Sequence, residues 1–243
     1  MQSGAFATIT ERAGSTMDLA RCYDGAQGFP YWIMALLQTD ARGRQGKSWL
    51  SAHGSFSATL ILQPNCTPAK AAQHSFVAAI TLFRTLAEFV DPSKLSQKWP
   101  NDVLLNGGKV AGILLESSAT GVNVDRLSVG IGVNLGLAPK GVLGARFRPV
   151  GLSDFVRTPP TPEVFLEALA AHFVVVEEKL VTKGFSEIRE EWNGQAARLG
   201  KIITARTSQA EITGTFDGID EDGSLLLLTP SGKIVIPAAD IYF

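Results

Sequence analysis

The sequence predicts an α+β protein with two units, a larger one over residues 1–194 and a small C-terminal β-barrel over residues 195–243. In the larger unit, apolar or alternating runs of strand length are interspersed with helical patterns. After Asn193 the pattern changes to short strand-like runs separated by turn residues, such as Asp222-Gly223, which is typical of a small barrel.

The predicted helices follow from their capping and opening residues. Ser15 is a good N-cap for a helix over residues 16–23. Proline at the first position opens helices over 68–90 and 162–181, and a short helix is expected over 187–192. The predicted strands are residues 5–9, 31–37, 55–62, 103–105, 109–116 and 127–133 in the larger unit, and 202–206, 212–219, 224–229 and 233–237 in the barrel.

Composition excludes several classes of protein. Lys and Arg number 22 against 23 Asp and Glu, which argues against a surface devoted to nucleic acid. Cys22 and Cys66 lack metal-like spacing and indicate free thiols of a reducing, cytoplasmic compartment. Three histidines, none close to another, do not predict a metal site, and no signal peptide or membrane span is expected.

A basic, glycine-containing loop is predicted over residues 38–48, between two strands. Its arginines and glycines suit an anion, because arginine forks match phosphate or carboxylate oxygens and glycine permits close backbone approach. A solvated surface turn is the alternative. The run from Ala41 to Ser48 resembles a P-loop, but the residues after Trp49 are poor helix formers, so we reject that interpretation.

Two further motifs lie in the middle of the chain. Asn106-Gly107 predicts a tight hairpin turn that brings Asp102 and Lys109 onto neighbouring strands, either as an exposed ion pair or as a site for a developing negative charge. The run 129–136, Val-Gly-Ile-Gly-Val-Asn-Leu-Gly, looks like a dinucleotide-binding fingerprint, but it lacks the third glycine and a following helix, so a Rossmann fold is not favoured.

Taken together, these motifs resemble the biotin protein ligase family. Ser15-Thr16, residues 38–49, the hairpin Lys-Trp-Pro-Asn-Asp with Lys-Val-Ala-Gly-Ile-Leu-Leu-Glu over 98–116, and residues 130–135 occur in the family's order and similar spacing. The resemblance implies a catalytic domain with a mixed β-sheet packed by helices, followed by the small barrel. It implies no operator binding to DNA, since the chain starts almost directly at the catalytic segment.

The resemblance also implies a set of site residues, with no bound metal among them. The implied biotin-binding residues are Ser15, Thr16, Met17, Gln38, Arg42, Gly43, Arg44, Lys109 and Gly112. The implied adenylate-binding residues are Arg42, Arg44, Trp49, Asn101, Lys109 and Asn134. Met17, Ala41 and Lys47 depart from the usual Asn, Gly and Arg, and residues 141–155 have no assigned role beyond a suggested cover for the adenine.

The implied reaction uses ATP and Mg²⁺ to activate biotin as biotinyl-5′-AMP and transfers it to a lysine of a biotin carboxyl carrier domain. Lys109, Arg44 and Arg42 would bring two anions together, and Asp102 would help the acceptor amine lose its proton. The alternative is a lipoate or octanoate ligase or transferase of the same fold, although Ser15, Thr16 and Gln38 suit a ureido ring better. A homodimer through an edge strand is possible.

Overall fold

The structure, a computed structural model, describes residues 6–139 and 147–243. A seven-stranded sheet has the order β1-β2-β3-β7-β6-β5-β4, in which β1 and β2 run parallel and the other neighbours antiparallel. Its strands are β1 (Phe6–Ala13), β2 (Tyr31–Gln38), β3 (Phe56–Leu62), β4 (Leu95–Lys98), β5 (Asp102–Leu105), β6 (Gly108–Thr120) and β7 (Asn123–Val133).

Helices cover one face of this sheet and form the main core with it. Alternate residues of β3, such as Phe56 and Leu60, and of β7, such as Val129 and Ile131, point into that core. The helices are α1 (Thr16–Arg21), α2 (Pro68–Ala72), α3 (His74–Leu86), α4 (Pro162–Lys183) and α5 (Phe185–Gly194). The buried side chains of α3 and α4 fill the core, whereas α1 packs against β2, β3 and β7 beside a second, smaller cluster.

The opposite face of β6 and β7 carries small residues. Gly112 pairs with Gly132 across these strands, and Gly130 lies two residues before Gly132 in β7. The strand pattern Val-Gly-Ile-Gly-Val therefore places apolar side chains in the core and leaves bare backbone on the other face. This glycine-lined surface lets other groups approach the backbone of the sheet closely.

The C-terminal part is a five-stranded antiparallel sheet in the order β11-β10-β9-β8-β12. Its strands are β8 (Ile202–Arg206), β9 (Glu211–Ile219), β10 (Leu225–Thr229), β11 (Gly232–Ile236) and β12 (Asp240–Tyr242). Hydrogen bonds join it to the larger sheet region: Trp99 Nε1 donates to the carbonyl of Gly223 at 2.9 Å, and the amide of Ile219 donates to Asn193 Oδ1 at 3.1 Å.

The predicted fold class is confirmed, with local corrections. The helix predicted over 68–90 is interrupted at Gln73, beside the buried ring of His74, whose Nδ1 lies 3.1 Å from the carbonyl oxygen of Ala71, and it ends at Leu86. Strands β4 and β12 were not predicted, because each has four residues or fewer and neither is a clearly alternating run. The division at residue 194 stays a prediction.

Candidate active site

A cavity of about 560 Å³ lies over the glycine-lined face of the large sheet, a size suited to a small-molecule ligand. It is bounded by the start of α1, the loop before β3, the β5–β6 hairpin and one residue of β12. All the site residues predicted from the sequence line it: Ser15, Thr16, Met17, Gln38, Arg42, Gly43, Arg44, Trp49, Asn101, Asp102, Lys109, Gly112 and Asn134.

One end of the cavity is polar and internally hydrogen-bonded. Ser15 caps α1 by accepting from the amide of Met17 at 3.2 Å. Gln38 Oε1 accepts from both the amide and the hydroxyl of Thr16, at 2.7 and 3.1 Å, and the hydroxyl of Thr59 donates to Thr16 Oγ1 at 2.8 Å. Because its oxygen is engaged, the Gln38 side chain offers its NH₂ group to a ligand.

Met17 packs against the floor of this polar end. A Cβ atom at Gly130 would lie 2.7 Å from Met17 Sδ, which is closer than side chains tolerate. Met17 is buried, so the thioether and the bare backbone of Gly130 together close the end of the cavity. The sequence did not identify Gly130 as a site residue, although the alternation of glycine with apolar residues in β7 was the available signal.

The basic loop forms a small hairpin. Arg42 and Ser48 pair as an antiparallel bridge, and the amide of Gly43 donates to the carbonyl of Lys47 at 2.7 Å. A tight turn over Arg44–Gly46, in which Gln45 has a φ of 56°, forms the tip. An extended segment and β3 follow the loop, as expected for a chain that is not a P-loop. At the tip, Arg44 Nη1 lies 3.4 Å from Asn101 Oδ1.

Arg42, at the base of this hairpin, is bound by two carboxylates. Its Nε and Nη2 donate to Glu116 at 3.1 and 3.2 Å, and Nη1 donates to Asp18 at 2.8 Å. The hydrogen bond with Glu116 raises the pKa of Arg42. Burial favours a higher pKa for Glu116, but hydrogen bonds from Arg42 and Arg21 outweigh it and lower that pKa. The pair formed by Arg42 and Glu116 is therefore ionised near neutral pH.

Two lysines and one aspartate meet at the other end of the cavity. Lys109 Nζ lies 2.6 Å from Asp102 Oδ1, and Lys98 Nζ lies 3.7 Å from Asp102 Oδ2. Strand register explains the cluster, because Lys98 pairs with Asp102, which pairs with Gly112. Burial lowers the pKa of Lys98, whose ammonium also lies 4.7 Å from the ring centroid of Phe147. Sequence reasoning missed Lys98 because β4 was not predicted.

Trp49 lies across the middle of the glycine-lined surface. A Cβ atom at Gly132 would lie 2.6 Å from its indole ring, which is a clash, and one at Gly112 would lie 3.1 Å away, which is a tight contact. Lys109 Nζ is 5.4 Å from the centroid of this ring, which is within the range of a cation–π contact. The buried Nε1 of Trp49 has no hydrogen-bond partner among the described residues.

Asparagines fix the neighbouring backbone. Asn101 Nδ2 donates to the carbonyl of Ile113 at 2.6 Å, and Asn134 Nδ2 donates to the carbonyl of Val150 at 3.1 Å. The buried Oδ1 of Asn134 has no protein partner within the described residues and is positioned to accept a bond from a ligand. Part of the 141–155 segment, residues 141–146, lies outside the described residues, so the suggested adenine cover is not described there.

The C-terminal sheet also reaches the cavity, which the sequence did not predict. Asp240 of β12 lines it, and Lys47 Nζ lies 3.6 Å from Asp240 Oδ2.

Among residues 6–139 and 147–243, no group of three potential metal-binding His, Cys, Asp or Glu side chains is present. None of the helices in the same described ranges is long and apolar enough to cross a membrane.

Comparison of the amino-acid sequence with known proteins shows the family to which this chain belongs. Residues 30–134 match the Biotin/lipoate A/B protein ligase family, and residues 199–243 match the biotin protein ligase C-terminal domain. The chain is 47% identical over 215 residues to a biotin–[acetyl-CoA-carboxylase] ligase of Paracoccus denitrificans, covering 87% of this chain and 90% of that protein. The chain therefore belongs to the biotin protein ligase family.

Two further relatives extend the comparison. The bifunctional ligase/repressor BirA of Bacillus subtilis is 31% identical over 217 residues, which cover 86% of this chain and 65% of that protein. A biotin protein ligase from Aquifex aeolicus, solved in complex with biotin and ATP, superimposes with a TM-score of 0.82 over 97% of both chains at 24% identity. The similarity to the Aquifex aeolicus structure establishes the shared fold.

Proposed function

We propose that the protein is an ATP-dependent biotin protein ligase that forms biotinyl-5′-AMP and transfers biotin to a lysine of a biotin carboxyl carrier domain. Family membership supports this proposal, as does the 47% identity to a biotin–[acetyl-CoA-carboxylase] ligase of Paracoccus denitrificans. The observation that carries it is one cavity in which a hydrogen-bonding end and a lysine cluster are joined by a glycine-lined surface. Such a cavity suits a polar-headed acid together with a nucleotide.

The polar end is the proposed place for the ureido ring. That ring has both donor N–H groups and an acceptor carbonyl, so it requires partners of both kinds. The NH₂ group of Gln38 can donate to the carbonyl, while the hydroxyls of Ser15 and Thr16 can accept from the ring N–H groups. Gly130 and Met17 would close the pocket around the apolar part of the bicyclic ring.

The acid would then extend along β7 towards the lysine cluster. Gly130, Gly132 and Asn134 lie on one face in alternate positions, and the distance from 130 to 134 is roughly 13 Å at strand rise. The carboxylate would lie near Lys109 and Gly112. The nucleotide would lie beyond them, between Trp49 and the free Oδ1 of Asn134, with Asn101 close to the loop.

In the first step, a biotin carboxylate oxygen attacks the α-phosphorus of ATP and pyrophosphate leaves. Both reactants are anions, so the site must supply positive charge where they meet. Lys109 and Arg44 are the proposed cations of the protein. Mg²⁺ enters as part of the MgATP substrate and is held mainly by phosphate oxygens, as is usual for this ion.

In the second step, the uncharged amine of the acceptor lysine attacks the acyl carbon, and AMP leaves. The amine must first lose a proton, for which Asp102 is the proposed acceptor, since it is the carboxylate at the lysine cluster. The loop over 42–48 and Trp49 would exclude water from the mixed anhydride, which otherwise hydrolyses.

The cellular setting of the proposal is the cytoplasm, where ATP is abundant and thiols such as Cys22 and Cys66 stay reduced.

A homodimer through edge strand β1 is part of the proposal, because Phe6 and Ile9 of that strand are exposed. Analytical ultracentrifugation of the wild type and of a Phe6→Lys/Ile9→Lys variant would test it. A wild type that sediments as a monomer, with and without biotin and MgATP, would remove the dimer from the proposal.

The experiment that tests the activity is incubation with MgATP labelled at the α-phosphate and biotin, without acceptor protein. Lipoate and octanoate are run in parallel, because ligases of the same fold use those acids. Labelled biotinyl-AMP is the expected product. Adenylation of lipoate or octanoate instead would identify the protein as a lipoate or octanoate ligase of the same fold. Folded protein that adenylates none of the acids would refute the proposal.

A further inference from the structure

Arg42 is placed by its sequence motif among the ligand-binding residues, yet its side chain is already fully engaged. Glu116 accepts from two sides of the guanidinium and Asp18 accepts from a third nitrogen. A bidentate arginine–carboxylate pair fixes the orientation of both groups as well as their distance. For this guanidinium to reach a substrate phosphate, it would have to give up these bonds.

The two carboxylates belong to elements outside the loop. Asp18 lies in the first turn of α1, and Glu116 lies on β6, four residues beyond Gly112 and on the same face of the strand. Arg21 contacts both carboxylates, at 3.4 Å from Asp18 and 3.1 Å from Glu116. Two cations therefore balance two anions, and the cluster contributes little net charge to the cavity.

The opposite side of the hairpin is held in a different way. Lys47 pairs with Asp240 of the C-terminal sheet, whereas Arg44 at the tip contacts the neutral amide of Asn101. The three cations of the loop therefore share no partner. Arg42 and Lys47 are bound to carboxylates at the two ends of the hairpin, and Arg44 between them carries charge that the described carboxylates do not offset.

We infer that Arg42 is a positioning residue: the pair formed by Asp18 and Glu116 fixes the base of the loop through Arg42, and thereby places Arg44 and Trp49 over the bound nucleotide. This inference rests on the proposed ligase activity. It assigns roles to two residues that are not part of the predicted site, Asp18 and Glu116. It also removes Arg42 from the groups that stabilise the phosphate charge directly.

The test compares Glu116→Gln, Arg42→Gln and the double variant. Glutamine at 116 keeps the shape of glutamate but presents one donor to the guanidinium, so one of the two hydrogen bonds and the ion pair are lost. Glu191→Gln is the matched control, because Glu191 forms the same bidentate pair with Arg84 between α5 and α3, at 2.8 and 2.9 Å, and neither residue lines the cavity.

Two measurements are made on each variant. The first is kcat and KM for biotinyl-AMP formation, together with the rate at which bound biotinyl-AMP escapes. The second is amide hydrogen exchange over residues 42–49, where the amides of Gly43, Lys47 and Trp49 are hydrogen-bonded within the hairpin. Exchange reports on the loop whether or not the enzyme is active, so a wild type without adenylate would refute the proposed function and leave the loop measurement intact.

We expect each single variant to increase both loop exchange and biotinyl-AMP escape about tenfold, the scale of a partly screened charge-assisted pair. The double variant should be no worse than the more affected single variant, because the two residues act as one unit. Glu191→Gln should match the wild type. If Glu116→Gln left exchange and escape unchanged, or if Arg42→Gln alone lowered kcat while the loop stayed protected, Arg42 would be a direct phosphate ligand and the inference would be overturned.

Discussion

A methyl group at Gly132 would test whether Trp49 and the glycine-lined surface form the nucleotide end of the cavity. The added Cβ would lie 2.6, 2.7 and 2.8 Å from three atoms of the indole ring. Ordinary carbon contacts are roughly 3.5–4.0 Å, so the indole must shift by about 1 Å or rotate away. Because the indole Nε1 has no protein hydrogen-bond partner within the described residues, this shift breaks no hydrogen bond of the side chain.

The Gly132→Ala variant should therefore remain folded and lose activity. A displacement of about 1 Å in a group that positions a substrate can cost on the order of 100-fold in rate. We expect kcat/KM for biotinyl-AMP formation to fall by about 10- to 100-fold, which corresponds to roughly 1.4–2.7 kcal/mol of transition-state stabilisation. The melting temperature should change little, since Ala avoids the entropic penalty of Gly in a strand.

The assay is steady-state formation of labelled biotinyl-AMP with each variant, at saturating biotin and varied MgATP. Gly194→Ala is the matched control, because a Cβ there meets no atom within 4 Å. It should retain wild-type kinetics. Wild-type kcat and KM in a folded Gly132→Ala protein would show that Trp49 is free to leave the cavity surface without consequence, and would refute the argument.

Three further predictions concern the two ends of the cavity. Lys109→Ala should abolish most adenylate formation, because it removes a cation proposed to stabilise the reacting anions. Lys179→Ala, which breaks a partly buried pair with Glu191 away from the cavity, should not; single-turnover assays decide this. Gln38→Glu keeps an acceptor for Thr16 but loses the NH₂ donor, so biotin affinity by calorimetry should fall at least about tenfold with an unchanged melting temperature. Burial lowers the pKa of Lys98, so between that lowered pKa and the unfolded value of about 10.4 the unfolded chain binds the proton more tightly than the folded protein. The free energy of unfolding should therefore rise with pH across this range. Urea unfolding of Lys98→Met should lack this increase.

Local signals in the sequence were sufficient for the site's two central loops. Asn106 and Gly107 adopt φ values of 50° and 80°, which is the conformation that makes Asn-Gly a hairpin signal. The basic loop was predicted from the arginines, lysine and glycines within residues 38–48. In both cases the deciding interactions lie within a few residues of each other along the chain, so the sequence pattern contains them.

Long-range partners were not available from the sequence. Arg42 meets Glu116 across 74 positions, and Lys47 meets Asp240 of a strand that has three residues. Lys98 was missed because its strand has four residues and no alternation. These contacts depend on strand order and register in the folded sheets, and single-residue propensities carry no information about either.

The register of the large sheet explains how few residues would suffice for the proposed reaction, which must bring two anions together. Lys98, Asp102, Gly112, Gly132 and Ser57 form one row across five strands, each paired with the next. Side chains of one row share a face, so the charged residues of β4 and β5 stand beside the bare backbone of β6 and β7. A ligand in the cavity beside these strands is therefore within reach of the lysines without any loop having to carry them there. Cations held by a sheet cost no reorganisation during the reaction, which is the condition under which they lower a barrier most.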